Sequence, residues 1–163
     1  MKKDSNQKSK FSLIYYRKDE RIAELVSKTD KQILAIWALH CAEHVLLYFE
    51  NQFPEDPRPR NAIETLQSWI DTGIFKMSVI RKASLDAHAA AREVNEDNAA
   101  RSAARAAGQA VATAHVKTHS IGAAIYALQA IHRATNTSDT DNTVNEEREW
   151  QYQLLLKLRK KIP

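Results

Sequence analysis

The sequence predicts an all-α fold, a compact single-domain bundle of six to seven helices with short connections. Three observations predict it. The 163 residues include only three glycines and four prolines, too few for the many tight turns of a sandwich or barrel. Good helix formers, alanine, leucine, glutamate, lysine and arginine, dominate the chain. Apolar residues recur at spacings of three and four in one segment after another. A chain of this length can bury roughly two thirds of its unfolded surface in one core.

Residues 1–18 read as a basic leader and residues 19–163 as the helical domain. A short helix is expected from Asp19 to Val26. Thr29 or Asp30 can cap the next, which carries Ile33, Leu34, Trp37, Cys41, Val45 and Phe49 to about Gln52. Phe53 to Arg60 (FPEDPRPR) is a rigid connector, because each proline constrains itself and the residue before it. A third helix follows from about Pro59 to Asp71 and ends at Gly73. Ser78 starts a fourth, to about Val94, and Asn95 to Asn98 breaks it. An alanine-dense helix then runs to about Val116. Ser120 caps a sixth, through Ile121, Ile125, Leu128 and Ile131. Asn136 to Asn145 is a polar loop, and a last helix runs from about Asn145 to Lys160, its closing cations complementing the dipole.

Charge and targeting narrow the function classes. Of 24 basic and 20 acidic residues, nine and five fall in Met1 to Lys31, which leaves fifteen of each in the remainder. The excess charge therefore describes the leader, which reads as a solvated tail, and argues against a nucleic-acid binder. No continuous apolar run approaches the roughly 20 residues of a membrane span, and the basic N-terminus lacks the apolar stretch of a secretory signal. Cys41, the single cysteine, has no disulfide partner. The expected location is the cytoplasm, with no membrane contact.

The alanine-dense stretch holds the best candidate site. Alternating steps of four and three from Arg101 pass through Arg105, Gly108, Ala112, His115 and His119. Such a stripe is normally an apolar seam; here cationic and imidazole groups alternate with the smallest side chains, and buried polar groups need partners. The candidate internal cluster is Glu43, His44, His88, Arg92, Arg105, His115 and His119. A metal reading takes His44, His88, His115 and His119 as ligands for zinc or another divalent ion, since histidines four apart share a helix face. The bland reading has these imidazoles bonding one another, Arg105 or a carboxylate inside a tight core.

Other motifs weigh less. His40-Cys41-Ala42-Glu43-His44 spells the inverted zinc-protease pattern, but His44 falls on the stripe Trp37-Cys41-His44-Tyr48, which reads as packed, and His40 on another row. Cys41 lies inside a helix, a poor place for a nucleophile, and reads as packed under Trp37. There is no glycine-flanked serine elbow and no phosphate loop. Trp69 and Trp150 read as core anchors, and Phe11, Tyr15 and Tyr16 as fasteners of the leader. The proline-ordered loop with Asp56, Arg58 and Arg60 suits presentation of charge to a partner, or equally an internal ion pair with Arg105 or Glu43.

Several segments in order resemble one family. They are Trp37 to Leu46 (WALHCAEHVL), Phe53 to Arg60, Ala87 to Arg92 (AHAAAR), Ala103 to Ala110 (AARAAGQA) and Ala114 to His119 (AHVKTH), with Glu147 to Gln151 closing the match. Together they resemble the immunity-five-like family of bacterial polymorphic toxin systems. The family's emphasis falls on Cys-Ala-Glu-His, Asp-Pro-Arg-Pro-Arg, His-x-x-x-Arg and Ala-His-Val-x-Thr-His; His40 and the leader lie outside it. The resemblance implies an all-helical cytoplasmic protein that binds and neutralises a cognate toxin. The alternative is a metal- or small-ligand-binding helical enzyme or sensor built on the internal cluster.

Overall fold

The fold begins at a helix cap: the Asp19 carboxylate accepts the backbone N–H groups of Arg21 and Ile22. The computed structural model describes residues 19–135 and 140–161. Seven α-helices account for the regular structure there, with no strand. They are α1 (Glu20–Ser27), α2 (Lys31–Gln52), α3 (Arg58–Thr72), α4 (Met77–Glu93), α5 (Ala99–Ala112), α6 (His119–Ala134) and α7 (Thr140–Lys160). The basic leader, with Phe11, Tyr15 and Tyr16, lies outside the described residues.

The alanine helix α5 is the hub. It packs on α2, α3, α4 and α6, and its buried residues are Ala, Ser, Gly and one Val. Side chains this small let four neighbours approach closely, where larger ones would hold them apart. α2 crosses beside it and supplies bulk: Leu34, Trp37, Leu46 and Phe49 are fully enclosed. By length and mean apolarity α2 could cross a membrane, but it is the central core helix, with most of its surface inside the bundle. α7 closes the far side against α6 and α2, and the Trp37 indole Nε1 donates to the Gln151 carbonyl at 2.8 Å.

The termini of most helices follow the expected signals. Asp30 stands at the N-cap of α2 without a side-chain bond, while Thr29 Oγ1 donates to the Leu25 carbonyl at the end of α1. Gly73 ends α3 in the left-handed region, with φ of 68° and its N–H donating to Trp69.

Two boundaries differ. α5 stops at Ala112, and a series of turns carries residues 113–118 into α6. Thr113, Val116 and Thr118 are β-branched and lower helix propensity there. His115 and His119 are therefore on different elements and share no helix face. α7 starts at Thr140, inside the segment that reads as a polar loop, with Asp141 in its favourable first turn and Val144 buried against Ile125 and Leu128. Trp150 is also no core anchor: it is 37% exposed.

Candidate functional site

The centre of the predicted cluster forms between α4 and α5. Arg105 Nη1 donates to His88 Nδ1 at 3.1 Å. Nδ1 accepts, so the ring carries its proton on Nε2. That edge of the ring lies over Gly108: a Cβ there would stand 2.7 Å from His88 Nε2. Gly108 is thus the seat of the imidazole. Burial, then the charges of Arg105 and Arg92, then His119, hold the His88 pKa down at about 4, so His88 is neutral at pH 7. Arg92 is exposed, one turn further along α4.

A second pairing joins α5 to α6. His119 Nδ1 donates to Gln109 Oε1 at 2.8 Å. Gln109 in turn packs on Gly122, where an added Cβ would stand 2.7 Å from its Oε1. Burial, then His115, lower the His119 pKa. His115 itself is exposed on the α5–α6 connection and stacks at 6.4 Å on Phe75, whose other neighbour is the Lys31 ammonium at 5.9 Å.

Two members of the predicted cluster lie elsewhere. His44 faces α7, with Nδ1 2.8 Å from Glu147 Oε1 and its ring 4.2 Å from that of Trp150. It is half exposed, so the stripe from Trp37 through Cys41 opens to solvent at His44 and Tyr48. The reason is geometric: α7 covers only one side of α2 here. Burial raises the Glu147 pKa, against the lowering effect of His44. Glu43 bonds Arg60 Nη1 at 3.1 Å, and His40 is exposed. The protease-like motif therefore points its three side chains in different directions. Cys41 is buried, and burial, with Glu147 nearby, pushes its thiol well above the ordinary range.

A divalent metal does not fit the proposed set. His44 is separated from His88, His115 and His119, and the lone pair of His88 Nδ1 is taken by a guanidinium. Among the described residues, no three His, Cys, Asp or Glu side chains gather as a metal site.

The proline loop is tied inward. Arg58 Nη2 sits 2.7 Å from Asp56 and 2.5 Å from Glu93; Arg60 reaches Glu50 at 2.6 Å and Glu43 at 3.1 Å. Asp56, Arg58 and Arg60 thus clamp α3 to α2 and α4. The pairing of Arg60 with Glu43 is the internal alternative the sequence allowed; Arg105 takes no part.

Sequence reading missed several polar residues that the fold uses. Gln109, Gly122 and Glu147 complete the histidine contacts described above. Arg133 donates to Ser102 Oγ at 2.9 Å, which donates to Gln129 Oε1 at 2.9 Å. Gln151 is fully buried and its Nε2 donates to the Ala124 carbonyl at 3.0 Å. A glutamine within a helix gives no sequence signal of its burial beyond its position.

The arrangement can present one guanidinium, that of Arg105, held by the neutral imidazole of His88. Among the described residues it brings together no nucleophile, base and oxyanion donor of the kind acyl or phosphoryl transfer needs. Comparison with known proteins supplies the family. The model of the Imm-5 like putative immunity protein family matches residues 24–158. The chain belongs to that family. The Imm-5 like match begins within α1 and ends within α7, so it spans the helical bundle except for those two outer ends and includes the His88–Arg105 pair. No curated protein and no solved structure matches the chain.

Proposed function

We propose that this chain is an immunity protein that binds a cognate toxin domain and blocks it in the cytoplasm of the cell that makes it. The observation that carries the reading is the family match across residues 24–158. The fold supports it: a rigid helical bundle whose charged loop is locked by internal ion pairs offers preformed faces, which lowers the entropy cost of docking. The alternative, an enzyme or sensor using the histidine cluster, draws less support because its donors sit in two separate places.

The test is co-expression with the toxin domain encoded next to the chain's own gene. Growth should be restored, and the purified pair should run as a one-to-one complex. Restored growth without a complex, or purified chain that retains a stoichiometric metal, would reverse the order of the two readings.

A further inference from the structure

The arginines of α1 to α6 fall into two groups, with Arg148 and Arg159 apart on α7. Arg21, Arg58, Arg60, Arg101 and Arg133 each lie within ion-pair distance of a carboxylate. Arg81, Arg92 and Arg105 form no ion pair with any described residue. These three belong to one face. Arg81, Leu85, His88 and Arg92 follow each other along α4 at steps of four, three and four, so they share a stripe. Arg105 joins the stripe from α5 through its bond to His88.

No carboxylate of these two helices is free to neutralise that face. α4 carries two: Asp86 is held by Lys82 at 2.5 Å and Glu93 by Arg58 at 2.5 Å. α5 carries none. The charged neighbours that act on His88 are Arg105, Arg92 and His119, with no acid among them. In the middle of the cations stands Leu85, an apolar side chain 54% exposed.

We propose that this α4–α5 face, Arg81, Leu85, Arg92 and Arg105, is the docking surface for a partner protein that presents carboxylates around an apolar pocket, and, resting on the immunity reading, that the partner is the toxin domain. An exposed apolar side chain flanked along one stripe by arginines suits a protein interface, where arginine is enriched. Arginine also forms two parallel bonds with a carboxylate. His88 is a positioning residue: it accepts from Arg105 and so fixes the guanidinium before the partner arrives. Nucleic acid is a poorer fit, since three guanidiniums are few beside the roughly 6–10 phosphate contacts of a strong DNA binder, and Leu85 has no role on a phosphate backbone.

The experiment compares the full chain with Arg81→Glu/Arg92→Glu, two exposed positions whose reversal leaves packing alone, with Arg105→Gln, and with a Lys157→Glu/Lys160→Glu control at the end of α7. Circular dichroism and melting confirm folding. Against the purified toxin domain, the double reversal should weaken binding on the order of 100-fold, and Arg105→Gln on the order of tenfold, with a smaller salt dependence in both; the control should match the parent. Parent-like affinity in the folded double reversal overturns the docking face and leaves the immunity reading standing. If the parent itself fails to bind the toxin, the immunity reading falls. The face is then decided by nuclear magnetic resonance titration with a glutamate-rich peptide containing one leucine, and with a short DNA duplex. Shifts centred on Leu85, Arg92 and Arg105 with the peptide, abolished by the double reversal, uphold an acidic protein partner. No such shifts, or a stronger response to the duplex, overturns it.

Discussion

Gly108 sets the position of His88, and His88 sets Arg105. The imidazole occupies the volume a Cβ would take, with three of its ring atoms within 2.9 Å of that point. Gly108→Ala should therefore destabilise the protein by about 1–3 kcal/mol through overpacking, although alanine is the better helix former by about 1 kcal/mol. Adding His88→Ala should recover a large part of the loss in a double-mutant cycle followed by urea unfolding. A Gly108→Ala protein as stable as the parent would mean the ring moves aside at no cost. The sequence marks Gly108 as a place of close approach. It does not say that the visitor is a side chain from α4 rather than a crossing backbone.

At the level of elements, α5 and α7 show how far periodicity reaches. The stripe from Arg101 to His119 is regular in sequence, but the helix ends at Ala112 because the chain must turn into α6 and three β-branched residues favour leaving the helix. Thr140 to Asn145 has the opposite history: five polar residues and one valine carry no readable period, and tertiary contact decides them. Val144 anchors that first turn and a half of α7 on Ile125 and Leu128. Val144→Asp should cost about 2–4 kcal/mol by placing a charge in this small cluster. Amide exchange should accelerate at Thr140 to Glu147 and stay slow in α2 and α5. Uniform acceleration throughout the bundle would show that α7 does not open separately.

Over the whole molecule, charge balance conceals segregation. Beyond Lys31 the chain is neutral in sum, but its carboxylates pair with Arg21 of α1, Arg58 and Arg60 of α3, Arg101 of α5 and Arg133 of α6, leaving Arg81, Arg92 and Arg105 without one among the described residues. Stability should follow pH through two buried groups. His88 has a folded pKa of about 4 against 6.5 for the free side chain, so the unfolded chain takes up a proton that the native one refuses. Its contribution is complete above pH 6.5 and is lost as pH falls toward 4, by about 1–2 kcal/mol after allowance for its partial exposure. Glu147, raised from its ordinary value by burial, acts in the other sense: the native state keeps its proton longer, so its contribution is lost as pH rises through the folded pKa. Melting curves should show His88→Gln, which keeps an acceptor for Arg105, flattening the acid limb, and Glu147→Gln flattening the rise of the opposing effect. An unchanged acid limb in folded His88→Gln would assign that loss to other groups.

The sequence by itself determined the fold class, most helix boundaries, the buried state of Cys41, and the pairing region of His88 with Arg105. Those follow from local rules: propensity, the three-four period, caps, and the scarcity of glycine and proline. Only the tertiary structure decided that His44 turns away to Glu147, that Arg58 and Arg60 are engaged by Glu93, Glu50 and Glu43, and that Arg81 and Arg92 are left unpaired. Partner choice between side chains on different helices depends on crossing angle and axial rotation, and a one-dimensional pattern does not fix either of them.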